Sequence, residues 1–243
     1  MLLLSVIYVF LELESYYEYS EYLKGLVVPS FCVFYIRFYK CQLPYFNLFL
    51  VLFSISDLLV FIPEYDLLHE DLVYYLGNTL YIMAYLSLLF GILKRLEFRK
   101  ILSRFKLTIS ILLVFNIYVL YTLVGSEFET KPLVGIEFVK ETIPLGFTMA
   151  SIILEFVYNC VILVLLTVSF INFLYRDNNK SLFLFLGSLC IVFSEVIQYA
   201  IFYPSEKETL LNIVCFVLLV SGYLCFYLFA VQSVSKNVKS IGI

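Results

Sequence analysis

Eight apolar stretches recur along this chain, at roughly residues 1–20, 25–39, 43–62, 72–93, 107–124, 143–174, 181–203 and 210–232. Several match the run of about 20 residues that a helix needs to cross the ~30 Å hydrocarbon core of a bilayer. Inside lipid, backbone N–H and C=O groups have no water to bond. Only helices and closed barrels satisfy them there. A barrel would show alternating segments of about ten residues, and none appear. The charged content of 14% is well short of the ~25% usual in a water-facing domain. The sequence therefore predicts an all-α polytopic membrane bundle of eight transmembrane helices forming a single integral membrane domain, 1–243.

Charge in the connecting segments sets the expected orientation. Arg37 and Lys40 follow the second stretch, and Lys94, Arg95, Arg99, Lys100, Arg104 and Lys106 follow the fourth. Arg176 and Lys180 follow the sixth, and Lys236 and Lys239 follow the eighth. The alternate connections are acidic, with Glu12, Glu14, Glu18, Glu21, Glu64, Asp66, Glu70 and Asp71 among their residues. The positive-inside rule places both termini in the cytoplasm, and an odd number of spans would break the alternation. The segment from Met1 to Leu11 lacks a basic start and a small-residue cleavage site, so it reads as a membrane segment and not a cleaved signal peptide. Pro29 is expected to kink the second span, and the long sixth stretch to include an interfacial turn near Pro144. The basic run 94–106 reads first as topology and secondly as a surface for anionic lipid headgroups.

Several function classes are excluded or disfavoured. The net charge of −3 comes without a basic face for nucleic acid. Cys32, Cys41, Cys160, Cys190, Cys215 and Cys225 form no CxxC and fall mostly in apolar runs, as small hydrophobes do. With His69 as the one histidine, no metal site and no cofactor are expected. The 25 Phe and 21 Tyr without any Trp give the composition of an AT-rich bacterial genome, hence an expected bacterial inner membrane.

Three acidic residues fall within spans: Asp57, Glu155 and Glu195. A charge at the bilayer centre costs roughly 2.5–3.5 kcal/mol on insertion scales, and such residues mark functional sites with partners. Asp57 lies seven residues from Glu64, roughly 10 Å at helical rise; Glu195 lies eleven from Glu206 and Glu155 eleven from Pro144, each roughly 16 Å. A shared, partly hydrated cavity is the least costly arrangement for all three. Asn78 and Tyr81 on the fourth span, Glu155, Tyr158 and Asn159 on the sixth, and Gln198 and Tyr199 beside Glu195 would line it. Two carboxylates in such a cavity hold one proton between them, and can then protonate a substrate and activate water. They can also relay protons in a transporter.

An internal echo links the leading pair. Ser56-Asp57 matches Ser194-Glu195, each followed by an apolar stretch, a Pro63-Glu64 or Pro204-Ser205-Glu206 element and a closing helix. The closing helices align as residues 81–90 against 221–229. An offset of four spans predicts a parallel 4+4 repeat.

These residues resemble those of the YhhN family of lysoplasmalogenase-like membrane proteins. Residues 23–29, Leu-Lys-Gly-Leu-Val-Val-Pro, are similar to its Lys-Pro-Leu…Pro signature, and Ser56-Asp57-Leu58-Leu59 to its third-helix Gly/Ser-Asp-Leu-Leu. Gly77-Asn78-Thr79-Leu80-Tyr81 stands where that family has Ala-His-x-x-Tyr, and Phe156-Val157-Tyr158 resembles a sixth-helix Val-x-x-Tyr element. The stretch 187–195, ending Ser194-Glu195, is similar to Gly-x-x-x-Phe-x-x-Ser-Asp. Three departures stand out: Asn78 replaces a His and cannot titrate, Glu195 replaces an Asp, and the last helix lacks a Tyr-x-x-Ala-Gln element. The resemblance implies hydrolysis of the vinyl-ether bond of a lysoplasmalogen to a fatty aldehyde and a glycerophospho-base. Asp57 and Glu195 would be catalytic, with Asn78, Tyr81, Tyr158, Glu155, Asn159, Gln198 and Tyr199 binding the lysolipid or water. A proton-coupled transporter and a non-enzymatic lipid-binding module are the alternatives built on the same carboxylates.

Overall fold

A computed structural model describes residues 2–14, 16–39, 43–61, 70–128, 145–201 and 208–241. Among them every regular element is helical: α1 (Leu2–Leu13), α2 (Tyr17–Tyr39), α3 (Pro44–Leu58) with a 3₁₀ turn (Leu59–Phe61), α4 (Glu70–Leu93), α5 (Phe98–Arg104), α6 (Lys106–Phe128), α7 (Leu145–Arg176), α8 (Asn179–Ile201) and α9 (Glu208–Ile241). Four helices are long and apolar enough to cross a membrane, over Leu72–Leu93, Met149–Arg176, Asn179–Ile197 and Thr209–Gln232.

Element boundaries depart from the apolar stretches where polar chemistry intervenes. The first stretch, expected to reach residue 20, ends as helix at Leu13, and α2 starts again at Tyr17. At 12 residues α1 is roughly 18 Å long, shorter than the hydrocarbon core. Pro29 does not divide α2, which continues as one 23-residue helix. The basic run holds a helix of its own, α5, which hydropathy alone does not reveal. Pro144, Pro63, Pro204 and His69 lie outside the described residues.

The helices close a ring: α2 packs on α3, α3 on α4, α4 on α7, α7 on α8, α8 on α9, and α9 returns to α2 with α1 wedged between them. Helix α6 lies outside, against α7, where the Asn116 amide donates to the Thr167 hydroxyl at 2.6 Å. Its remaining faces carry exposed Leu107, Val114, Tyr118 and Tyr121, apolar surface suited to lipid contact.

Aromatic rings fill the middle. Phe46, Phe49 and Phe53 recur on one face of α3 at the spacing of successive turns. They meet Tyr85 of α4 and Tyr223 and Phe226 of α9, with centroids 5.6 Å apart for Phe49–Phe226, 5.4 Å for Phe53–Tyr223 and 5.7 Å for Phe53–Tyr85. Edge-to-face pairs of this kind add about 0.5–1.5 kcal/mol each beyond burial. In lipid such packing, together with hydrogen bonds, takes over from the hydrophobic effect in holding helices together.

Small residues allow the closest crossings. A methyl on Gly187 would stand 2.4 Å from the Phe226 ring and 3.1 Å from the Gly222 carbonyl, so α8 and α9 touch where side chains are absent. The α7–α8 reversal takes only two residues. Asp177 adopts the left-handed region at φ 43°, and Asn178 caps α8 by accepting the Ser181 N–H at 2.9 Å.

Candidate functional site

Asp57 sits on the last turn of α3 and is buried among apolar neighbours. Its carboxylate accepts a hydrogen bond from the Tyr81 hydroxyl at 2.6 Å. The residue before it fixes this geometry: the Ser56 hydroxyl donates to the Gly77 carbonyl at 2.8 Å, clasping α3 to α4 one turn ahead of Tyr81.

Helices α8 and α9 repeat the device. The Ser194 hydroxyl donates to the Cys215 carbonyl at 3.0 Å, and Ser194 is again followed by the acid, Glu195. Both clasps join residues 21 apart in the chain. The Tyr158 hydroxyl of α7 lies beside Glu195.

The two carboxylates share one neighbourhood. The Glu195 charge acts on Asp57, and both charges act on Tyr81, Tyr85 and Tyr223. The ammonium of Lys24, from α2, acts on both carboxylates. Six helices of the ring thus send a side chain to this cluster: Lys24, Asp57, Tyr81 and Tyr85, Tyr158, Glu195 and Tyr223. Tyr85 and Tyr223 are fully buried, and neither hydroxyl reaches a partner at hydrogen-bonding geometry, although that of Tyr85 lies beside Tyr158. Leaving a buried hydroxyl unpaired costs roughly 1–3 kcal/mol.

The remaining expected residues are distributed differently. Glu155 accepts from the Tyr74 hydroxyl at 2.6 Å, two turns of α4 away from Tyr81 and about 10 Å along its axis. Asn78 donates one amide N–H to the Tyr74 carbonyl of its own helix at 2.9 Å, leaving its second N–H and its side-chain oxygen for other partners. Asn159 bonds no described residue, although it was expected to share work with Glu155. The side chains of Gln198 and Tyr199 lie outside the described residues.

Glu12 shows what loop counting misses. Read as part of an acidic connection, it is buried at 3% exposure and accepts from the hydroxyls of Tyr8 at 3.1 Å and Ser20 at 2.8 Å. Lys24, Tyr85 and Tyr223 were not among the site residues expected from the sequence, although the two tyrosines lie in the closing helices of the internal echo. Tyr85 was within reach: it lies one turn beyond Tyr81, and both tyrosines stand 29 residues after the clasping serine of their own half.

Comparison of the chain with protein families, with characterised proteins and with solved structures gives no match.

Proposed function

We propose that this protein is an intramembrane hydrolase acting on the vinyl-ether bond of a lysoplasmalogen-type lipid, related to the YhhN family. The observation that carries the reading is the shared neighbourhood of Asp57 and Glu195, on different helices but ringed by the same tyrosines. A vinyl ether is hydrolysed by protonation at carbon, which leaves an oxocarbenium ion. Water then adds, and the hemiacetal collapses to a fatty aldehyde and a free glycerol hydroxyl. One carboxyl of the pair delivers the proton, and the other, as carboxylate, stabilises the cation and takes a proton from water. Tyr81 holds Asp57 in one orientation. The Tyr85 and Tyr223 hydroxyls are free to bond the ether oxygen or the water. In this reading Asn78 has no part in proton transfer.

Helices α1–α4 and α6–α9 form two copies of one four-helix unit in this proposal; over the last three helices of each copy an offset of 138 residues pairs Ser56 with Ser194, Asp57 with Glu195 and Tyr85 with Tyr223. The equal spacing of the serine clasps and the same order of neighbours in each half support it. The eight-span topology, with the basic end and both termini in the cytoplasm of a bacterial cell, rests on the segregation of charge.

Incubating the purified protein with a lysoplasmalogen and measuring released aldehyde tests the activity. Asp57→Asn and Glu195→Gln are each expected to lower release by about 10²–10⁴-fold, the usual contribution of a general acid or base. Unchanged release in both variants would discard the carboxylate mechanism, and no release from the native chain would discard this substrate.

A site lying between two like halves also favours a second reading, proton-coupled transport. Substrate accumulation in proteoliposomes driven by a proton gradient and abolished by Asp57→Asn, without aldehyde release, would select it.

A further inference from the structure

At the end of the bundle away from the carboxylates, α3 and α8 begin and α4 and α7 finish around a cavity of about 160 Å³. That is room for on the order of ten waters, at ~10–15 Å³ each. We propose that this cavity binds a phosphate group, carried by the headgroup of an acidic membrane lipid or free in solution.

Three cations converge on it: Arg95 just beyond α4, Arg176 at the end of α7 and Lys180 in the first turn of α8. None of the described residues lining it is acidic. One Arg176 nitrogen donates to the Arg95 carbonyl at 2.6 Å, which holds the guanidinium at the rim and leaves its other N–H groups for a ligand. The Lys180 ammonium lies 5.3 Å from the centre of the Phe229 ring, so it too is held at the cavity. A planar guanidinium fork matches phosphate oxygens in pairs, and an ammonium supplies a point charge.

The floor provides an independent sign of a ligand. Asn172 is 5% exposed, lines the cavity, and its amide has no partner among the described residues. Its amide opens into the cavity, where a phosphate oxygen could accept from it. The opposite wall is apolar, with Leu88, Ile92 and Leu184, and could receive the first carbons of an acyl chain. The cavity also sits among the basic ends of the helices, the level at which lipid phosphates lie.

This site is separate from the hydrolytic one. Gly91, on its wall, lies ten residues from Tyr81, or roughly 15 Å along α4, and the Phe46, Phe49 and Phe226 rings fill the space between. A single lysolipid cannot place its vinyl ether at Asp57 and its phosphate here. The proposal therefore stands independently of the hydrolase reading.

The test uses the full-length protein in non-ionic detergent, titrated with dioctanoyl phosphatidic acid, dioctanoyl phosphatidylcholine and inorganic phosphate. Phosphatidic acid is expected to bind more tightly than phosphatidylcholine. Arg95→Gln should weaken it about tenfold or more, the loss of one charge-assisted hydrogen bond. Asn172→Asp, which sets a negative charge in the floor, should do the same. Lys100→Gln, outside the cavity, should leave binding unchanged. Competition by inorganic phosphate would assign the phosphate alone as sufficient; its failure to compete would assign the lipid. Equal binding of the two lipids would overturn the proposal. So would Lys100→Gln weakening phosphatidic acid as much as Arg95→Gln, because the effect would then be general surface charge. Arg95 is exposed, so its variant keeps the test valid should Asn172→Asp fail to fold.

Discussion

A hydroxyl buried without a partner works against the fold, and Tyr223 carries one at the centre of the bundle. Tyr223→Phe keeps the ring and its contacts with Phe49 and Phe53 while removing the unpaired oxygen. Thermal unfolding in detergent should show the variant unchanged or more stable by about 1 kcal/mol. Aldehyde release should nevertheless fall, by several-fold to about tenfold, if the hydroxyl serves a guest molecule. Tyr85→Phe should behave alike. A variant that lost stability would show that the hydroxyl is satisfied within the fold. At this scale the sequence was legible where a residue was conspicuous by its surroundings: Asp57 and Glu195 are charges in apolar runs. It was illegible where the residue type was common. With 21 tyrosines in the chain, nothing local separates Tyr223 from one at a membrane surface. Lys24, near the start of an apolar stretch, reads as an end of a span, and only the packing of α2 on α3 brings its charge to the carboxylates.

Helix pairs are set by what lets them approach. Gly187 and Gly222 face each other across α8 and α9, and a methyl at either would press on the partner helix. Gly187→Ala is therefore expected to destabilise the fold by about 1–3 kcal/mol, since its Cβ would overlap the Phe226 ring. Gly77→Ala is the contrasting substitution: its Cβ would meet the Ser56 hydroxyl at an ordinary 3.5 Å, and alanine favours helix by about 1 kcal/mol. That variant should be neutral or more stable, and comparing the two unfolding midpoints checks the pair. An equal loss at both positions would mean that helix approach at Gly187 is not special. Most helices were legible as apolar stretches, because the bilayer imposes their length. Their ends were not. The break after Leu13 follows from a cluster in which Glu12 bonds Tyr8 and Ser20, a tertiary arrangement that hydropathy cannot register. Pro29, which could end a helix, lies inside a continuous α2.

Across the whole molecule, charge and fold divide the bundle into two unlike ends. The cavity between the starts of α3 and α8 and the ends of α4 and α7 gathers Arg95, Arg176 and Lys180, and α5 with Lys100 and Arg104 follows from the same end. At the other end lie the turn between α1 and α2, with exposed Glu14, and the starts of α2 and α9, joined by Tyr17 and Thr209 at 3.1 Å. The Asp57–Glu195 pair lies on the acidic side of the aromatic layer, so orientation decides from which face water and a polar product would exchange. Each basic residue near an anionic leaflet contributes about 1 kcal/mol, and six or more on one side weigh strongly against inversion. Reporter cysteines placed by Glu14→Cys and Lys100→Cys, in a Cys41→Ala background that keeps the five cysteines within the helices, test this with a membrane-impermeant maleimide. Expression in a bacterial cell, with the outer barrier opened, should allow labelling of Glu14→Cys in intact spheroplasts and of Lys100→Cys only after lysis. The cysteine background without either substitution supplies the blank. Labelling of Lys100→Cys in intact spheroplasts would reverse the orientation, and with it the side nearer to the Asp57–Glu195 pair. Labelling of both positions from one side would remove the spanning topology altogether, since the two residues sit at opposite ends of the helices that separate them.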